Sequence, residues 1–250
     1  MKSGGKIRAD QLLVERGLAP TRSRAAAIIM AGDVYSGERR IDKAGQMLAA
    51  DAAVEIRGGD HPWVSRGGLK LVRALAHFEI DPAGAVCLDV GASTGGFTDV
   101  LLAKGAAKVY AVDVGHGQLA WKLQTDPRVV MLDRTNARHL TRKDVPEPVD
   151  LIVCDASFIG LETVLPAPMA LAAPGCRLIA LIKPQFEVGP DRVGKGGIVR
   201  DPALHAEVCE RISGWLDVQQ GWRVLGLTDS PITGTDGNKE FLIAGRKDSE

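Results

Sequence analysis

The run LIALIKPQFE, residues 178–187, carries a cation out of an apolar core: five apolar residues lead to Lys183, which is backed at once by Pro184. A lysine amine there can hold or move a proton once burial and neighbouring charges act on it. Four aspartates stand at comparable places. Asp89 in CLDV, Asp113 in YAVD, Asp133 in VVMLD and Asp155 in IVCD each lie at or beside the end of a short apolar run. A carboxylate at the carboxyl end of a strand can accept hydrogen bonds from ribose hydroxyls, the role open to Asp113, or from an adenine amino group, the role open to Asp133. The segment LDVGASTGGFTDVLL adds Gly91, Ser93, Gly95 and Phe97. Glycines at such a tip let the backbone approach a ligand closely, and the helix start beyond offers free N–H groups. Its pattern is Gly-x-x-x-Gly-Gly, so the dinucleotide fingerprint is missing.

The elements that must hold these residues are legible from about residue 84 onward. AVCLDV, KVYAVDV, RVVMLD, VDLIVCD and CRLIALI are five candidate strands, each short, apolar and followed by a turn signal. Between them lie helix-like segments: GGFTDVLLAKG, GQLAWKLQ and LETVLPAPMALA. DPALHAEVCERISGWLDVQQ then opens with Asp201 as N-cap and Pro202 at the first helical position. WRVLGLTDS and KEFLIAGRK close the chain as an antiparallel hairpin. Strand and helix in alternation predict an α/β fold, a doubly wound sheet with helices on both faces, whose ligands lie beyond the carboxyl ends of the strands. Residues 1–59 differ in texture: two short helices, ADQLLVERG and TRSRAAAIIMAG, then short strands, predict a small α+β module. A glycine- and proline-marked linker is expected at 60–65 and a second domain at 66–250.

The glycine turn followed by acids at successive strand ends resembles the class I (Rossmann-like) S-adenosyl-L-methionine-dependent methyltransferases over residues 84–246. The resemblance implies that Gly91, Gly95 and Phe97 lie along the methionine and ribose of the cofactor, with Asp89 and Ser93 in the same turn, Asp113 on its ribose and Asp133 on its adenine. Four ionisable residues then converge on one mouth of the sheet: Lys70 in SRGGLKLVRAL, Asp155, Lys183, and Glu240 in GNKEFL. Lys-Asp-Lys-Glu in that order resembles the tetrad of FtsJ-type ribose 2′-O-methyltransferases. By that resemblance a lysine removes the proton of a ribose 2′-hydroxyl or orients it, and the acids fix the amine and keep the site near neutrality.

The first module, from RADQLLVERG to AADAAVEI, resembles the S4 RNA-binding domain. It keeps the Arg-Gly-Leu turn, the Thr-Arg helix start, the Gly-x-Val turn and Lys43, with Ser36-Gly37 where the family usually has an asparagine before the turn glycine. Arg8, Arg16, Arg22, Arg24 and Lys43 are its candidate RNA-binding residues, because guanidiniums near a helix junction can meet phosphates. The segment VGPDRVGKGGIVRD after the fifth strand reads as a mobile loop closing on RNA through Arg192, Lys195 and Arg200. An S4-like module before an FtsJ-like domain, joined through WVSRGGLKL and followed by KPQFE, GGIVRD and GNKEF, resembles the TlyA family, often called haemolysin A. That resemblance implies S-adenosylmethionine-dependent 2′-O-methylation of ribose, at cytidine, with ribosomal RNA or ribosomal subunits as partner.

Composition sets the remaining bounds. The 250 residues are 45% hydrophobic and 25% charged, with 31 basic and 31 acidic side chains, an ordinary globular make-up with no global bias toward polyanions. Cys87, Cys154, Cys176 and Cys209 have no Cys-x-x-Cys spacing and are expected as reduced thiols of a cytoplasmic protein. No metal-ligand spacing appears, and no apolar run reaches the roughly 20 residues of a membrane helix. Two other classes compete with the enzyme: a non-catalytic RNA-binding ribosome-assembly factor, separated from it by cofactor binding, and a membrane-active haemolysin, separated by liposome leakage.

Overall fold

The computed structural model describes residues 5–19, 21–30, 32–56, 61–234 and 237–249. The chain divides into two compact units at Gly67 and Gly68, beside the expected linker, whose residue 60 lies outside the described residues. In the first unit, helices Ala9–Glu15 and Arg22–Met30 bury Leu13, Ala25 and Ile29 with Val34 of the next strand and Ile41 just beyond the one after it. Strands Val34–Ser36 and Arg39–Arg40 pair antiparallel with Ser36 opposite Arg39. Serine in place of asparagine leaves this hairpin closed, because the left-handed backbone conformation falls on Gly37 at φ +56°.

The strands of the second unit are β1 (Val86–Val90), β2 (Lys108–Val112), β3 (Val129–Leu132), β4 (Val149–Cys154), β5 (Ala172–Ile182), β6 (Trp222–Asp229) and β7 (Phe241–Lys247). They form one sheet in the order β6-β7-β5-β4-β1-β2-β3. The run β3-β2-β1-β4-β5 is parallel, and β7 joins β5 and β6 antiparallel. Parallel strands covered on both faces need continuous apolar runs, and Leu88, Ile152, Leu178 and Ile179 are fully buried. Strand order reverses between β1 and β4. At such a switch point the two following loops diverge to opposite faces and leave a crevice.

The main helices are α1 (Gly67–His77), α2 (Gly96–Ala103) and α3 (Pro202–Asp217). Asp201 caps α3 by accepting the Ala203 N–H at 2.9 Å. Two expected helices are shorter than their apolar patterns. Of GQLAWKLQ only Trp121–Gln124 is helical: Gly117 is left-handed at φ +64°, and Ala120 is extended at ψ 140° immediately before the helix. LETVLPAPMALA breaks into Leu161–Val164 and Pro166–Ala170, because Pro166 has no N–H to continue the first helix.

Candidate active site

The crevice at the switch point opens into a cavity of about 640 Å³ whose walls include Gly91, Ser93, Asp113, Asp155, Ser157 and Phe158. Gly91 is required there twice over: φ is +83°, and a Cβ would stand 2.9 Å from the Cα of Ala156 on the neighbouring strand end. Asp113 ties two loops together, one carboxylate oxygen accepting the Ser93 N–H at 2.8 Å and the other the Gly115 N–H at 2.7 Å.

Other expected cofactor residues stand behind this wall. Gly95 is left-handed at φ +95° and packs against Leu119 and Leu123, where a Cβ would meet Leu123 Cδ1 at 2.2 Å. Phe97 is buried in the core of α2. Asp133 accepts the Gly117 N–H at 2.8 Å and lies 3.0 Å from His116 Nδ1, facing the loop after β2. Asp89 is fully buried; its Oδ2 accepts the Thr98 N–H at 3.0 Å and the Thr98 hydroxyl at 2.7 Å. Burial pushes its pKa up to about 7, against the Thr98 bonds and with help from the Asp155 charge. Asp89 and Asp133 therefore shape the turns, and neither lines the cavity.

The four ionisable residues of the mouth do come together. Lys183 leaves β5 extended because Pro184 restricts the residue before it, and Pro184 then opens the short helix Pro184–Glu187. The Lys183 Nζ lies 2.7 Å from Asp155 Oδ1, donates to the Asp155 carbonyl at 3.2 Å, and donates to Ser157 Oγ at 2.8 Å. Lys70 sits on the buried stripe of α1 with Leu71 and Ala74, close to a helix start whose dipole disfavours a cation. Its Nζ is 2.7 Å from Glu240 Oε2 and 3.6 Å from Asp155 Oδ2. The result is a chain in which acid and base residues alternate, Glu240–Lys70–Asp155–Lys183. Burial works against the Lys70 ammonium, but Asp155 and Glu240 outweigh it and hold its pKa above the ordinary lysine value. Burial likewise works against the Asp155 carboxylate, and the two lysines outweigh it and keep its pKa below the usual range.

Two features of this mouth had no clear signal in the sequence. Phe158 is 90% exposed on the cavity wall, with φ +65° and its ring 5.1 Å from that of Phe186. A non-glycine residue in that backbone region with an aromatic ring held in water is costly, a combination found where side chains meet ligands. Glu187, with its side chain 4% exposed, accepts the Leu161 N–H at 2.8 Å and pairs with Arg211 at 2.9 Å, and so locks the loop after β4 to the turn that carries Lys183.

The expected RNA contacts fall into groups within their own units. Arg8 and Arg22 converge on buried Asp10, each at 3.0 Å. The Arg8 bond, opposed by burial and supported by Arg22, lowers the Asp10 pKa to about 2. Arg16 donates to the Ala50 carbonyl at 3.0 Å, while Arg24 and Lys43 project into solvent. In the second unit Arg192 pairs with Glu207 at 2.7 Å, and Lys195 and Arg200 are exposed. Within the loop that carries them, Val199 is buried and Gly194 bridges to Ile198.

A model of the FtsJ-like methyltransferase family matches residues 63–247, and one of the S4 domain matches residues 7–54. The 16S/23S rRNA (cytidine-2′-O)-methyltransferase TlyA of Mycobacterium tuberculosis (strain ATCC 25618 / H37Rv) is 48% identical over 239 residues, 95% of this chain and 89% of that protein. Hemolysin A of Brachyspira hyodysenteriae is 39% identical, over 94% of this chain and 98% of that protein. Among solved structures, a Streptococcus thermophilus protein bearing a hemolysin name matches with a TM-score of 0.75 at 41% identity, over 98% of this chain and 90% of that one. Among the described residues no helix is long and apolar enough to cross a membrane. With both modules matched in order and nearly the whole chain aligned, the chain belongs to the TlyA family, in which an S4 domain is joined to an FtsJ-like methyltransferase.

Proposed function

We propose that this methyltransferase uses S-adenosyl-L-methionine to methylate the ribose 2′-oxygen of a cytidine in ribosomal RNA, in the cytoplasm. The observation that carries the reading is the buried pair of lysines bridged by Asp155 at the rim of the Gly91–Asp113 cavity. The donor set suits a nucleoside cofactor: Asp113 has two of its roughly four lone-pair sites occupied by backbone N–H groups, which leaves acceptors for ribose hydroxyls. Gly91 and Ser93 would flank the same nucleoside, and the bound cofactor supplies an electrophilic methyl group on sulfur.

The chain's own residues do the rest. Lys70 lies between two carboxylates that raise its pKa, so it holds its own proton more tightly than an ordinary lysine and is poorly suited to take another. Proton transfer falls to Lys183, whose Nζ is anchored by the Asp155 carboxylate and carbonyl. As a neutral amine it keeps those two contacts and turns its lone pair to the 2′-hydroxyl, taking the proton as the oxygen attacks. Phe158 offers a face on which a base turned out of its RNA stack can rest. Positioning of this kind is worth up to about 7–11 kcal/mol of barrier in well-oriented systems. Cytidine and ribosomal RNA as substrate are supported by the name of the mycobacterial relative and by the S4 module.

The test is mass-spectrometric mapping of ribose methyls in ribosomal RNA from cells with the gene, without it, and with Lys183→Ala. Lys183→Ala should lose the methyl, with a rate at least about 10²-fold lower in vitro and S-adenosylhomocysteine affinity unchanged. Lys183→Arg should not restore it, because a guanidinium stays protonated. Full activity of either variant would remove Lys183 from the chemistry.

A further inference from the structure

The basic loop after β5 and the segment leading into β7, which bears Glu240, are joined by one fully buried side chain, Asn238. Its Oδ1 accepts the Val199 N–H at 3.0 Å, and its Nδ2 donates to the Gly197 carbonyl at 2.9 Å. Its own carbonyl accepts the Gly234 N–H at 2.9 Å. Two residues on, Glu240 reaches Lys70. On the loop side, Gly197 N–H closes a four-residue turn onto the Gly194 carbonyl at 3.1 Å. Gly196, the third residue of that turn, has φ +79°, the left-handed conformation a type II turn needs at this place. Lys195 is the second residue of the turn and is exposed. Below it Val199 is anchored in the core and its carbonyl lies 2.9 Å from His205 Nε2. An amide buried with both ends satisfied admits few alternative arrangements, because a shift would strand its donor or its acceptor away from water.

We propose that Asn238 is a positioning residue: it sets the Lys195 turn and Arg200 in fixed register with Glu240 and the lysine pair, so that RNA gripped by this loop presents its ribose to Lys183. The inference rests on RNA being the substrate, as proposed above. A loop cation held in place meets a phosphate without an ordering cost, whereas the same cation on a loosened loop contributes little.

The experiment is a double-mutant cycle read by salt dependence. Binding of ribosomal RNA from cells lacking the gene is measured over a salt series for the parent, Lys195→Ala with Arg200→Ala, Asn238→Ala, and the combination. In the parent background, removing the two cations should reduce the slope of log K against log salt by about 2. In the Asn238→Ala background it should reduce it by less than about 0.5, with turnover down about tenfold and S-adenosylhomocysteine affinity retained. Asn238→Ser, which keeps one hydroxyl at the site, is measured alongside so that poor folding of one variant leaves the other to decide. A purely structural asparagine would lower the melting temperature and leave the slope change at about 2, which overturns the inference while RNA binding stands. If the two cations cost nothing in the parent, the loop does not meet RNA, and the inference falls together with that part of the proposed function. The mapping with Lys183→Ala then reports separately on whether the enzyme methylates RNA at all.

Discussion

Glu240→Gln is the perturbation whose size follows most directly from the structure. Glu240 and Lys70 form an ion pair at 2.7 Å with side-chain exposures of 3% and 9%, so solvent screens neither partner. The substitution keeps shape and an acceptor oxygen but removes one negative charge. Lys70 is then left with Asp155 at 3.6 Å, a carboxylate already engaged by Lys183 at 2.7 Å. Removing one partner of a buried pair costs about 3–5 kcal/mol, and retention of the hydrogen bond places this variant near the lower end, about 3 kcal/mol. With a urea dependence of about 2 kcal/mol per molar, the unfolding midpoint of the catalytic unit should fall by about 1.5 M. Lys70→Met combined with Glu240→Gln should recover most of that loss, since the stranded charge is gone. Activity should fall in both variants, because Asp155 relaxes toward Lys70 in the first and loses its second cation in the second. Equilibrium urea unfolding with methyl transfer measured on the same preparations decides the matter. A midpoint unchanged in Glu240→Gln, or strictly additive losses in the double variant, would refute the charge chain as the organiser of this mouth.

Two further perturbations reach other parts of the molecule. A carboxyl raised from the ordinary 3.8 to about 7 in the folded chain binds its proton more tightly there than when unfolded. Asp89 therefore withdraws stability as pH rises through the window from about 4 to 7, by up to about 4 kcal/mol. Asp89→Asn should gain stability relative to the parent across that window; parallel stability-against-pH curves would show that Asp89 does not titrate there. In the S4 module, Arg24→Ala with Lys43→Ala should lower the salt slope of RNA binding by about 2 while leaving the module folded, because both side chains project into solvent. An unchanged slope would place RNA elsewhere.

Much of the catalytic unit was legible in the chain because its parts are locally encoded. Parallel strands covered on both faces must be continuous apolar runs, and all five from CLDV to LIALI stand where those runs lie. Helix lengths were less legible where a single residue overrides an apolar pattern, as Pro166 does. The lysines and acids of the mouth were nameable through family resemblance, but their pairing was not. Lys70 and Glu240 are far apart in sequence, and nothing local shows that they meet at 2.7 Å while Lys183 takes Asp155. The strand-end aspartates looked equivalent and are not. Asp113 turns into the cavity, Asp89 turns under it, and Asp133 faces a loop, since alternate residues of a strand point to opposite sides and each end twists away differently. Phe158 gave no sign, because an aromatic after a strand is ordinarily core and only its backbone conformation turns it into water.

By itself, then, the sequence determined which segments are strands and helices, their alternation into a doubly wound sheet, the glycines that the turns require, and the family. These follow from periodicity and backbone preference, which act over a few residues. Only the tertiary structure decided which carboxylate neutralises which lysine, which aspartates meet the cavity, and that Asn238 fastens the basic loop to the segment that bears Glu240. Those are contacts between segments remote in the chain, and their strength is set by burial, which exists only once the sheet has closed over them.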